Sequence, residues 1–114
     1  MDLRVKCDLV GEEPGASPAL LDHVRRRVLF VLMHRRSRIA GVDVRVAPLR
    51  SKRLTDAPPG HSCRVEVELV DGERIGHFEI GAADVHATAD RAIDVVGARV
   101  EAHLHAAETL IATD

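Results

Sequence analysis

Three short stretches of the sequence alternate apolar and polar residues with a period of two, and this alternation constrains the fold more than any other feature. They are residues 2–9, 42–46 and 63–70. In the last of them, CRVEVELV, the apolar residues take the odd-numbered positions up to 69. Because successive side chains of a strand point to opposite faces, each stretch predicts a strand with one buried face. The dipeptide Asp71-Gly72 then predicts a tight hairpin, with residues 74–80 as the returning strand.

Two longer stretches space their apolar residues as amphipathic helices do. The first covers residues 18–36, and Ser17 as the cap before it with Pro18 at its first position is typical of a helix start. The second covers residues 84–108. The predicted core stripes are Leu20, Leu21, Val24, Val28, Val31 and Leu32 in the first helix, and Val85, Ala89, Ile93, Val96, Val100, Leu104 and Ala107 in the second. Gly41 is predicted to separate the first helix from the second strand. The order β-α-β-β-β-α predicts an α+β sandwich with a four-stranded sheet, both helices on one face and the other face open to water. The whole chain, residues 1–114, is predicted to be a single domain.

The composition restricts both the core and the modes of recognition. Hydrophobic residues make up 46 % of the chain but aromatic residues only 2 %, with no Trp or Tyr. The core must therefore be aliphatic, and recognition of nucleic acid by stacking bases on aromatic rings is disfavoured. Cys7 and Cys63 lie in the apolar register of their strands, which favours buried thiols over a disulfide or a metal pair.

No arrangement of residues typical of catalysis or metal binding is found in the sequence. There is no nucleophile with a base and an orienting partner, and no Gly-rich phosphate loop. His103 and His105 lie two apart on a helix, where their rings diverge, and Cys63 has no partner pair at zinc spacing. We therefore expect no enzymatic activity, cofactor, metal or small-molecule substrate. The absence of a signal peptide and of a membrane-length apolar run predicts a cytoplasmic protein.

Two segments carry a resemblance to a known family. They are SPALLDHVRRRV followed by RRSRIAGVDVRV within residues 17–46, and ADVHATADRAIDVV, residues 83–96. Both resemble the ribosome hibernation promoting factor family, also called the ribosome-associated inhibitor or sigma-54 modulation protein family. The matching positions are Arg38, Ile39, Asp84, Ala87, Asp90, Ile93 and Asp94. The resemblance implies a fold like that of double-stranded-RNA-binding domains, which occupies the decoding channel of the small ribosomal subunit and keeps ribosomes idle under stress.

The sequence departs from the family in two ways. His86 stands where the family usually has Tyr, and the second helix lacks the many exposed Lys and Arg residues of the family. With His neutral, residues 84–108 carry a formal charge of −3, from two arginines against five acidic residues. Residues 18–38 carry +5, from six arginines against one aspartate, and residues 48–62 carry +2, from three basic residues against one aspartate.

These charges locate the predicted contacts with ribosomal RNA on the first helix and the following loop. Arginine donates paired hydrogen bonds to phosphate, and a cluster of arginines gives salt-sensitive affinity for RNA. The predicted RNA-binding residues are Arg25, Arg26, Arg36, Arg50, Lys52 and Arg53. The alternative is that the arginines form an ordinary solvated helix face.

The first helix also carries more apolar residues than one buried stripe needs. The segment VLFVLM, residues 28–33, is apolar all round, and Leu29, Phe30 and Met33 are expected on the side away from the core. Either the loops 10–17 and 48–62 cover them, or they contact another chain, most simply in a symmetric homodimer. The second possibility gives an alternative function: a diverged protein-interaction module that does not bind ribosomes.

Overall fold

The computed structural model describes residues 4–9, 18–49, 60–81 and 84–112. The elements are β1 (Val5–Leu9), α1 (Pro18–Leu32), a 3₁₀ helix (Met33–Arg38), β2 (Ile39–Leu49), β3 (Gly60–Leu69), β4 (Arg74–Gly81) and α2 (Val85–Ala112). The predicted α+β class and element order are confirmed. The predicted helix start at Ser17 lies outside the described residues.

The four strands form one mixed sheet in the order β1-β2-β3-β4. β1 and β2 are parallel, which requires a crossover, and α1 supplies it. β2, β3 and β4 are antiparallel neighbours. The predicted hairpin joins β3 to β4: Gly72 has φ +95°, a conformation that favours glycine, and the backbone N–H of Leu69 donates to the carbonyl of Glu73.

The core lies between one face of the sheet and both helices. Alternate residues of β2 and β3 are buried, and the residues between them face solvent on the open side of the sheet. The largest fully buried side chains are Leu20, Leu32, Leu69, Ile93, Leu104, Val24, Val28, Val44, Val65, Val67, Val96 and Val100. All of these are aliphatic, as the composition predicted.

α1 and α2 pack closely because a glycine lies at their contact. A Cβ atom at Gly97 would collide with Cγ1 of Val31. Val31 is half-buried and packs against the core, as the predicted stripe required. Leu21, also predicted in the stripe, is only half-buried.

Three predicted boundaries are wrong. α1 ends at Leu32 rather than at residue 36, and the chain continues as a 3₁₀ helix in which Arg35 has non-helical angles (φ −112°, ψ 16°). Gly41 lies inside β2, next to a register shift between Ile39 and Gly41 that interrupts the period of two. α2 extends past residue 108 to Ala112.

Candidate nucleic-acid interface

Polar and charged side chains of α1 and of the 3₁₀ helix that follows it contact carboxylates of α2. The two helices run parallel, so three of the pairs, His23–Asp90, Arg27–Asp94 and His34–Glu101, share a sequence separation of 67 residues. Arg27 makes a two-pronged contact with Asp94: its Nε donates to Oδ1 at 3.1 Å and its Nη2 donates to Oδ2 at 2.7 Å. The hydrogen bond with Asp94 raises the pKa of Arg27. This planar, paired geometry is also the one that arginine uses to bind phosphate.

Arg35 is the centre of a second cluster at the other end of the helix pair. Its Nη2 donates to Oε1 of Glu101 at 2.6 Å, and its Nη1 donates to Oε1 of Glu108 at 2.5 Å. The hydrogen bond from Arg35 is the largest cause that lowers the pKa of Glu101, to about 2, and the hydrogen bond with His34 is the second. Nη1 of Arg38 lies 4.0 Å from Oε1 of Glu108. The carboxylates of α2 thus form ion pairs with the guanidinium groups that face them.

Two histidines meet at the start of the helix pair. Nε2 of His23 lies 2.8 Å from Oδ1 of Asp90, and the rings of His23 and His86 contact edge to face at 4.8 Å between centroids. Asp84 accepts a hydrogen bond from the backbone N–H of His86 at 2.9 Å, which stabilises the first turn of α2. The aspartates of the resemblance motif, Asp84, Asp90 and Asp94, therefore cap α2 or contact α1.

The described RNA-binding candidates lie outside this network. Arg25, Arg26 and Arg36 are exposed, and none of them forms an ion pair with α2 within the described part of the chain. Arg26 pairs with Asp22 one turn away at 3.0 Å, and Arg36 donates to the carbonyl of Met33 at 3.2 Å. Three of the six predicted residues are thus exposed, two on α1 and one in the 3₁₀ helix. Arg50, Lys52 and Arg53 lie outside the described residues.

Fewer apolar side chains are exposed on α1 and just after it than the sequence predicted. Phe30 is 80 % exposed, as predicted, and the guanidinium of Arg27 lies 5.8 Å from the centroid of its ring. The orientation expected for Leu29 is wrong, because it packs against the core, and Met33 is half-buried. α1 contacts both the sheet and α2, so its buried arc is wider than the predicted stripe.

The open face of the sheet is a second charged surface, which the sequence patterns above did not single out. Its described side chains include Arg4, Lys6, Asp43, Arg45, Arg64, Glu66, Glu68 and Arg74. Two apolar residues of β4 share this face: Phe78 is 50 % exposed and Ile80 is 60 % exposed. The sequence contained a sign of this surface, since the polar positions of the four predicted strands include five basic residues: Arg4, Lys6, Arg45, Arg64 and Arg74.

β4 points two polar residues inward, beneath α2. His77 and Glu79 are half-buried, with Nε2 of His77 2.8 Å from Oε2 of Glu79. Nε of Arg91 lies 3.5 Å from Oε1 of Glu79, and Nη1 of Arg99 donates to the carbonyl of Gly76 at 3.0 Å. These polar contacts lie along an edge strand, and inward charges of this kind discourage pairing with another chain.

The cysteines form no disulfide with each other. Cys63 is buried, and burial raises the pKa of its thiol to about 12, whereas Cys7 is half-buried. Within the described ranges, no three His, Cys, Asp or Glu side chains are grouped so as to bind a metal ion. Over the same ranges, neither helix combines the length and apolar character needed to cross a bilayer.

No protein-family model matches the chain, and no curated protein matches it either. Among solved structures, the chain is similar to a PelC dodecamer from Paraburkholderia phytofirmans, with a TM-score of 0.41 and 14 % sequence identity. The match covers 82 % of this chain and 85 % of that one.

Proposed function

We propose that this protein binds RNA of the small ribosomal subunit and keeps ribosomes idle by occupying them, as a cytoplasmic factor of the hibernation type. The observation that carries the proposal is the exposure of Arg25, Arg26 and Arg36. They remain accessible to phosphate although α2 engages Arg27 and Arg35 of the same segment. Binding in this way needs no chemistry, only a basic surface and a shape that blocks the channel.

In this proposal, α2 serves to position α1. Its carboxylates fix Arg27 and Arg35 on the inner side of the helix pair, so the acidity of α2 does not oppose RNA at the outer side. Screening by salt weakens the repulsion between α2 and RNA beyond a Debye length of about 8 Å at physiological ionic strength.

The test is binding to purified small subunits, measured by co-sedimentation over a range of salt concentrations. The variant Arg25→Ala/Arg26→Ala/Arg36→Ala should bind more weakly, with a salt dependence shallower by roughly one unit of slope for each phosphate group that the variant no longer neutralises. A matched control is Arg45→Ala/Arg64→Ala/Arg74→Ala, which removes the same charge from the open sheet face. An equal decrease of affinity in both variants, or no binding by the wild type at low salt, contradicts the proposal.

A second candidate function is a protein-interaction module that contacts another chain through α1, most simply a second copy. The 80 % exposure of Phe30 favours it, since burying a Phe side chain contributes about 1.5–3 kcal/mol. Sedimentation equilibrium of the wild type and of Phe30→Glu tests this function. A self-association that the substitution leaves unchanged in a folded variant excludes α1 as the interface.

A further inference from the structure

Like charges lie side by side on the open face of the sheet. Arg45 of β2 is the direct cross-strand partner of Arg64 of β3, and Phe78 of β4 continues that row. Two residues along, Asp43 is the direct partner of Glu66, and Gly76 continues the second row. Like charges placed directly opposite each other are unfavourable in an isolated sheet. On β2 and β3 the face is therefore divided into a basic row and an acidic row, and Lys6 of β1 lies beside Asp43 at the end of the acidic row.

The charges of these rows are incompletely neutralised within the chain. Glu66 accepts a hydrogen bond from Arg74 at 3.1 Å, and Arg64 lies 5.9 Å from the centroid of the Phe78 ring. Within the described ranges, Asp43 and Arg45 take part in no ion pair. A depression of about 150 Å³ between the rows is lined by Asp43, Arg45, Arg64 and Glu66.

We propose that this face binds the same face of a second copy of the chain. The twofold axis of the dimer lies between the two sheets, runs perpendicular to the strands and passes midway between the two rows. Rotation about that axis places each basic row over the acidic row of the other copy. Arg45 then faces Asp43 of the second copy, and Arg64 faces Glu66. Phe78 faces Gly76, which has no side chain and leaves room for the ring. A twofold interface requires such a self-complementary surface.

The neighbouring row agrees with this arrangement. Ser62 and Ile80 are cross-strand partners in the row beside Arg64 and Phe78, and Glu68 and Arg74 are partners in the row beyond Glu66 and Gly76. The same axis places Ile80 against the aliphatic part of Arg74, whereas Ser62 is buried and its hydroxyl donates to the carbonyl of Ala47 in its own chain. Glu66 can keep its bond from Arg74, because a carboxylate accepts several hydrogen bonds.

The size of the face sets the expected strength of the dimer. Four strands about 4.8 Å apart and about seven residues long give a contact of roughly 20 Å by 23 Å on each copy. The interface therefore buries roughly 900 Å² in total, below the standard size for stable complexes of about 1,200–2,000 Å². The dimer is accordingly weak and depends on concentration. This proposal is independent of the proposed RNA binding, because it leaves α1 on the opposite side of the sheet.

Sedimentation equilibrium of the full chain at low salt, up to roughly millimolar concentration, tests the proposal. We expect a reversible monomer–dimer equilibrium that high salt weakens. Arg64→Glu and Glu66→Arg should each weaken dimerisation by at least about tenfold, because each places like charges opposite one another across the interface. An equimolar mixture of the two variants should form a heterodimer, and the double variant Arg64→Glu/Glu66→Arg should dimerise again.

Two control variants distinguish this face from α1. Arg25→Glu makes the same change of charge on α1, and Phe30→Glu removes the exposed ring there; both should dimerise like the wild type. Far-UV circular dichroism confirms that every variant is folded. A wild type that stays monomeric, a dimer that persists in Arg64→Glu, a mixture of the charge variants that fails to associate, or a Phe30→Glu variant that no longer dimerises overturns the proposal.

Discussion

Replacing Ile93 by Ala measures how strongly the core holds α2 against the sheet. Ile93 is completely buried. The substitution removes three carbon atoms, which corresponds to roughly 2.4 kcal/mol of transfer free energy at about 0.8 kcal/mol for each buried carbon. The remaining cavity adds to this cost, and large-to-small substitutions of this kind destabilise by about 2–5 kcal/mol. We expect Ile93→Ala to lower the free energy of unfolding by about 3–4 kcal/mol.

The same destabilisation can be expressed as a shift of the thermal midpoint. With an unfolding entropy of about 2.1 cal/mol/K for each residue, a chain of 114 residues has about 0.24 kcal/mol/K in total. The expected fall in Tm is therefore about 12–17 °C, measured by circular dichroism, with urea unfolding as an independent measure.

Ile80→Ala is the matched control, because it is the same substitution at a side chain that is 60 % exposed. It should lower the free energy of unfolding by less than about 1 kcal/mol. Comparable destabilisation in the two variants, or a decrease below about 1 kcal/mol for Ile93→Ala, would refute the placement of the core between α2 and the sheet.

Three further predictions concern titration, reactivity and helix packing. The pKa of Glu101 is about 2 in the folded chain against an ordinary value of 4.5, so its contribution to stability is present above pH 4.5 and disappears as the pH falls towards 2; the decrease of stability on acidification should be smaller in Glu101→Gln, as measured by urea unfolding at several pH values. Cys63 should resist iodoacetamide at pH 8 in the folded protein while Cys7 reacts faster, as peptide mass spectrometry can show, because the pKa of Cys63 is about 12. Gly97→Val should lower the free energy of unfolding by about 1–3 kcal/mol through collision with Val31, whereas unchanged stability would contradict the close approach of the helices.

The interhelical ion pairs change how the charge of α1 is interpreted. Summed along the sequence, the segment 18–38 has a charge of +5, but Arg27 and Arg35 face carboxylates of α2 and three arginines remain exposed away from it. Three acidic residues of α2, Asp94, Glu101 and Glu108, have an arginine as a local partner for their charge. The summed charge of this segment therefore overstates the positive charge that it exposes to a partner.

Periodicity in the sequence was sufficient to predict the α+β class, the order of the elements and the Asp71-Gly72 hairpin. Alternation with a period of two and apolar spacing near 3.6 follow from backbone geometry alone, so they can be recognised without knowledge of the tertiary contacts. The buried aliphatic core followed from the same patterns. The boundaries near Arg35 and Gly41 did not, because a 3₁₀ segment and a register shift depend on how α1 connects to β2.

The tertiary structure alone decided which charged groups meet. Arg27 and Asp94 are 67 residues apart, and only the parallel packing of α1 on α2 brings their side chains within 2.7 Å. Leu29 packs against the core because α1 contacts two neighbouring surfaces, which a single helical stripe does not reveal. In the same way, strand pairing determines that Arg45 lies beside Arg64 and Asp43 beside Glu66. The interactions between distant charges depend on their separation in space, which local sequence patterns do not contain.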